Sequence, residues 1–149
     1  MLCGAPLIPA NATEDDAGTT HGGSHEFHTN TAGILVGETF EGREEALTLG
    51  IEYERRFNES FGVGVLAEYV SDDLDFWVFA LPFAYHSGPW KLYAAPGVED
   101  GEEGSEFLAR IGVEYAFEVG DFEISPQLNV DFVDSEEVWV EGLLISKGF

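Results

Sequence analysis

A chain of 149 residues with 29 acidic and 6 basic side chains, a formal net charge of −23, is one domain's worth of protein. It lacks the basic surface that displaces counterions from nucleic acid, which excludes that partner. No run of about 18 apolar residues occurs, so a membrane-spanning helix is excluded and a closed β-barrel is the remaining way to cross a bilayer.

Met1 to Ala12 ends in Ala10-Asn11-Ala12, a small-x-small pattern of the kind cleaved from secretory leaders, but has no basic start. It reads either as the remnant of a signal peptide or as an ordinary terminus. Cys3 is the single cysteine, so the folded part has neither disulfide nor thiolate chemistry. Too little hydrophobic sequence precedes it for lipid attachment. Thr13 to Asn30 is polar, Gly-rich and acidic; it cannot bury enough apolar surface to offset the entropy of ordering, and we expect a flexible tail. His21, His25 and His28 in that tail are spaced i, i+4, i+7, a candidate set for Zn²⁺, Ni²⁺ or Cu²⁺. A floppy tail without a companion cysteine argues for free imidazoles instead.

From Thr31 the pattern changes to short period-two segments separated by Gly, Pro, Asn, Asp and Ser, the signature of sequential antiparallel strands. Eight strands are predicted over Thr31–Phe40, Ala46–Phe57, Phe61–Ser71, Asp75–Tyr85, Trp90–Glu99, Glu106–Phe117, Phe122–Val133 and Val138–Phe149. Three prolines, Pro82, Pro96 and Pro126, fall inside these segments. A closed ladder has no free edge to excuse a proline, so bulges or strand ends near a rim are expected there.

The even connections, Asn58-Glu59-Ser60, His86-Ser87-Gly88-Pro89 and Glu118-Val119-Gly120-Asp121, are turn-like. The odd ones read as longer and acidic: Glu41 to Glu45, Asp72 to Asp75, Glu99 to Glu106 and Asp134 to Glu137 hold fourteen of the 29 carboxylates. In a meander the two sets emerge at opposite ends, so one end is strongly acidic. Short turns at one end and longer loops at the other is the arrangement of bacterial outer-membrane barrels, with the short end in the periplasm.

Each strand has one apolar parity. The sixth gives Phe107, Ala109, Ile111, Val113, Tyr115 and Phe117 against Leu108, Arg110, Gly112, Glu114 and Ala116. Aromatic residues sit at the ends of the apolar rows with aliphatic residues between, as interfacial girdles require. The apolar set is therefore assigned to lipid, including Leu49, Ile51, Val63, Val65, Ile111, Val113, Leu128 and Val130. The opposite parity mixes charge with glycine, suiting a crowded lumen. The alternative is a soluble lipocalin-like ligand-binding barrel with the apolar rows inside and carboxylates in water.

The last segment, VWVEGLLISKGF, ends on Phe149 with Leu143 and Ile145 on the same parity, although Lys147 stands where an aromatic is usual and Glu141 shares the outward parity. It resembles the terminal signal of outer-membrane barrels, and Thr31–Phe149 looks like the small barrels of the OmpA and OmpW type. That resemblance implies an all-β, eight-stranded antiparallel up-and-down transmembrane barrel in the bacterial outer membrane. Its implied partners are membrane lipid, lipopolysaccharide and the barrel-assembly machinery; it carries over no catalytic residue.

On this reading Glu52, Glu54, Arg56, Glu68, Lys91, Arg110, Glu114, Glu123 and Asp131 project into the lumen, where charges must pair or protonate. Arg110 and Lys91 are expected among Glu52, Glu68 and Glu114, as a plug or, alternatively, as a narrow cation-preferring path. Glu99, Asp100, Glu102 and Glu103 form the densest acidic loop. It matches no EF-hand spacing, and divalent cations there would bridge to lipopolysaccharide phosphates. No resident cofactor is expected. His86-Ser87 invites comparison with outer-membrane lipid hydrolases but has no obvious orienting carboxylate, and no P-loop or dinucleotide fingerprint occurs, so enzymatic activity is not expected. The expected role is structural or one of surface interaction.

Overall fold

The computed structural model describes residues 27–72 and 74–149. Residues 1–12 and most of 13–30, His21 and His25 included, lie outside the described residues. Among the described residues every regular segment is a strand: β1 (Asn30–Glu41), β2 (Glu44–Arg56), β3 (Phe61–Val70), β4 (Phe76–Ala80), β5 (Phe83–Ser87), β6 (Trp90–Gly101), β7 (Gly104–Tyr115), β8 (Phe117–Val119), β9 (Phe122–Val133) and β10 (Glu136–Gly148). β4 and β5 are one crossing interrupted at Leu81-Pro82, and β7 and β8 are one crossing interrupted at Ala116, so ten segments make eight antiparallel staves. β10 pairs with both β9 and β1, which closes the barrel.

Stepping across the ladders from Thr31 through Glu54, Gly64, Pro82, Ala95, Arg110, Asp131 and Val138 leads back to β1 at Glu41, a shear of ten residues. A shear of that size tilts the staves by about 35–45° and leaves a lumen only wide enough for side chains.

The prolines mark neither bulges nor rims. β3 meets β4 and β5 in one unbroken register, as does β6, so no residue is inserted at Pro82. Pro82 still accepts from the Gly64 N–H through its carbonyl, and Pro96 from that of Leu81. Each proline removes a donor while the rest of the ladder holds the register. Pro96 and Pro126 lie inside unbroken strands.

The expected contrast in loop length is also absent. The acidic end closes with Gly42-Arg43, residues 71–75, Glu102-Glu103 and Asp134-Ser135, and the other end with residues 57–60, Gly88-Pro89 and Gly120-Asp121. Carboxylates that read as loop belong to strands that continue to the rim: Glu99 opposes Glu106, and Asp100 opposes Ser105. A charged residue is compatible with a strand wherever water reaches it, and polarity alone does not separate loop from rim. Asp134 and Ser135 have φ of 42° and 71°, the left-handed pair of a two-residue hairpin.

The tail ends earlier than its composition suggests. Asn30 is already in β1, and the Thr29 carbonyl accepts from the Arg56 N–H.

The apolar rows face outward. Phe107 is 69% exposed and Ile111 60%, while Arg110 between them is 1% exposed. A soluble barrel with these rows packed inside is overturned by that parity.

Candidate functional site: the lumen

The lumen is built in three layers. Nearest the acidic end, Val70, Phe76, Val78, Leu108 and Val133 pack into a buried apolar cluster, with Leu74 against it. The parity rule assigned this face to charge and glycine. It misses the cluster because the rim ends of these staves are apolar on both parities, as in Phe76, Trp77 and Val78.

In the middle sits Arg110. Its Nε and Nη2 donate to the two Asp131 carboxylate oxygens at 2.6 and 2.8 Å, and Nη1 and Nη2 donate to those of Glu68 at 2.5 and 2.7 Å. Asp131 is the cross-strand partner on β9, whereas Glu68 reaches over from β3. The planar guanidinium fork suits two bidentate carboxylates, and all three side chains are buried. Below them Tyr93 donates to Asn129 Oδ1. Gly112 makes room for the Tyr93 ring, since a Cβ there would lie 2.3 Å from its Cζ.

The third layer, toward the even connections, is polar and open. Lys91 on β6 pairs with Glu52, with Glu54 Oε2 at 3.1 Å and with Glu114 Oε1 at 3.1 Å. Glu54 also bonds His86, Nε2 to Oε1 at 2.6 Å. These groups line a cavity of about 370 Å³ that opens at that end.

The expected single network of Arg110 and Lys91 is thus two networks, Arg110 with Glu68 and Asp131, and Lys91 with Glu52, Glu54 and Glu114. Arg56 and Glu123 stand at the cavity mouth, apart from both. Arg56 donates to the Glu59 carbonyl and lies 5.1 Å from the Phe27 ring centroid. The Glu54–His86 bond had no signal in the sequence, because its partners are 32 residues apart on staves that are not neighbours.

Other sequence candidates are dispersed. His86 turns toward the lumen whereas Ser87 is exposed, so the pair is split between opposite faces of β5. His28 lies at the cavity mouth. Glu99 is half-buried and Asp100 exposed, on alternate faces of β6, with Glu102 and Glu103 in the turn. Among the described residues no group of three or more His, Cys, Asp or Glu side chains is placed to hold a metal ion. Leu49, Ile51, Val65, Ile111 and Leu128 are exposed on the outer face, and Val63, Val113 and Val130 are half-buried on the same parity. Glu38 and Glu141, cross-strand partners on β1 and β10, also face outward, beside Leu47 and Leu128.

At the acidic rim, beyond the outward Phe40, Glu41 has its pKa raised by partial burial and by the nearby Glu136, Glu44 and Glu106 carboxylates.

No protein-family model and no curated protein sequence matches the chain. Solved structures do match its fold. A de novo designed transmembrane β-barrel superposes with a TM-score of 0.57 at 11% identity, covering 81% of this chain and 98% of the design. The N-terminal β-barrel domain of Pseudomonas aeruginosa OprF gives 0.57 at 13% identity, covering 83% and 100% of the two chains. The Yersinia pestis outer membrane protein Ail gives 0.54 at 13% identity, covering 80% and 99%. The architecture is therefore that of the small eight-stranded transmembrane β-barrels. At these identities the likeness speaks for the fold.

Proposed function

We propose that this chain is an integral outer-membrane barrel with a structural or surface-interaction role and a lumen that does not conduct. The observation that carries the reading is the outer face. On β7 and β8 the apolar parity runs from Phe107 to Phe117, ten residue steps. That is about 33 Å along the stave, or about 25 Å along the axis at a tilt near 40°, the height of an outer-membrane apolar band. Aromatic contacts gather near its two edges, Trp77 with Tyr69 and with Phe79 at one, Phe61 with Tyr85 and Trp90 with Tyr115 at the other. A water-soluble monomer does not expose so large a continuous apolar surface.

With no contrast in loop length between the two ends, the rim's charge is what supports assigning it to the cell exterior, where divalent cations would screen it and bridge it to lipopolysaccharide phosphates. Glu54 supplies the orienting carboxylate for His86 that the sequence did not reveal, but Ser87 lies on the opposite face of β5, out of reach of that imidazole, so no catalytic role is assigned to the pair. The apolar layer and the Arg110 network together fill the lumen, which supports a closed barrel over a cation path.

Refolding from urea into phospholipid vesicles tests the reading. The expected product migrates differently on unboiled and boiled gels, resists protease and carries no current in planar bilayers. Val113→Arg on the outer face should destabilise the inserted barrel by about 2–4 kcal/mol. A chain that folds without detergent or lipid and tolerates this substitution would refute the proposal.

A further inference from the structure

The open third of the lumen is a better candidate for binding than for passage. About 370 Å³ of space is lined by six carboxylates against three cations, Arg56, Lys91 and Lys147, and two histidines, His28 and His86. Lys91 uses its one ammonium on three of those carboxylates, Glu52, Glu54 and Glu114, so acceptor oxygens outnumber the charge that occupies them. Ser146 lines the same cavity, is 2% exposed, and its Oγ has no hydrogen-bond partner. A buried hydroxyl without a partner carries a free-energy cost that a bound donor relieves.

From this geometry we infer that the cavity binds a small organic cation bearing primary ammonium groups, of the linear diamine class. Lys91 itself shows the chemistry: an alkylammonium presents three donors, which separate carboxylates can share. Among the described residues no trio of ligands is gathered tightly enough for a metal ion, whereas an ammonium needs only single hydrogen bonds to acceptors spread around it. A second ammonium on the same molecule meets the mouth, where Asp121 and Glu123 stand. The closed apolar layer above makes the cavity a dead end, so the cation enters and leaves by one opening. This inference rests on the lumen geometry alone and does not need the acidic rim to face outward.

The test is a titration of the isotopically labelled full chain, refolded in phospholipid nanodiscs, with 1,4-diaminobutane, butylamine and Mg²⁺ in separate arms, followed by amide chemical shifts. The expected result is saturable shifts confined to the cavity wall around Lys91, Glu114 and Ser146, with the diamine tighter than the monoamine. Glu114→Gln should weaken diamine binding by about tenfold, the loss of one charge-assisted hydrogen bond. Glu123→Gln, at the mouth and outside the Lys91 network, should weaken the diamine while leaving butylamine unchanged, and serves if Glu114→Gln fails to fold. The inference is overturned if no saturable shifts appear, if Mg²⁺ produces the same shifts at equal charge concentration, or if the diamine binds a folded variant as tightly as the parent.

Discussion

The two ends of the lumen solve one problem in opposite ways. Toward the acidic rim, lumen space is filled by Leu108, Val70, Val78 and Val133, and beneath them Arg110 is held on four carboxylate oxygens. Toward the other end, Lys91 and three glutamates line a cavity that opens at the end of the barrel. A buried ion pair needs complete partners because nothing replaces one that is lost. A pair at the wall of an open cavity has solvent in reserve, and so can leave oxygens free for a ligand.

Removing the cations one at a time is the sharpest way to break this contrast. Arg110→Ala leaves Glu68 and Asp131 uncompensated in a dry layer and should cost about 3–5 kcal/mol, read as a drop in the urea midpoint in lipid vesicles. Leu108→Ala opens a void in the apolar layer and should cost about 2–4 kcal/mol, with onset of conductance in planar bilayers if that layer is the seal. Lys91→Met should cost less, about 1–3 kcal/mol, because the buried carboxylates it leaves line a cavity that opens to solvent. Equal losses for Arg110→Ala and Lys91→Met would show that the two ends are alike.

Much of this was legible in the sequence, for definite reasons. The stave Phe122–Val133 coincides with its predicted span because its alternation is strict and turn residues, Gly120-Asp121 and Asp134-Ser135, bound it on both sides. Lumen membership of Arg110, Glu68 and Asp131 follows from parity, since period two fixes which face a residue joins. Pairing across the lumen does not follow from parity. Which carboxylate meets Arg110 and which meets Lys91 depends on shear, and no single stave encodes the shear. The apolar layer escaped because a two-letter alternation cannot report a lumen that changes character along its axis. At the acidic rim, charge density in the sequence is indistinguishable from irregular chain, although Gly101 pairs with Gly104 around a two-residue turn.

The rim offers the smallest effect. The pKa of Glu41 is raised, by burial first and then by neighbouring carboxylates, so its ionised form is disfavoured in the folded barrel relative to the unfolded chain. The favourable state is fully present below the ordinary carboxylate pKa and is lost as pH rises through the higher folded value. Glu41→Gln should therefore raise the urea midpoint slightly at neutral pH and leave it unchanged under acidic conditions. A gain of the same size at both pH values would contradict the charge account.

Whether the outward rows touch hydrocarbon decides where this barrel resides. With Cys3 replaced by serine, single cysteines at Ile111, on the outer face, and at Ser146, which lines the open lumen cavity, can each carry a small fluorophore in vesicles containing lipids brominated at mid-chain. Strong quenching at position 111 with little at position 146 is the predicted result. Emission at position 111 that ignores the brominated chains and yields to an aqueous quencher would contradict it.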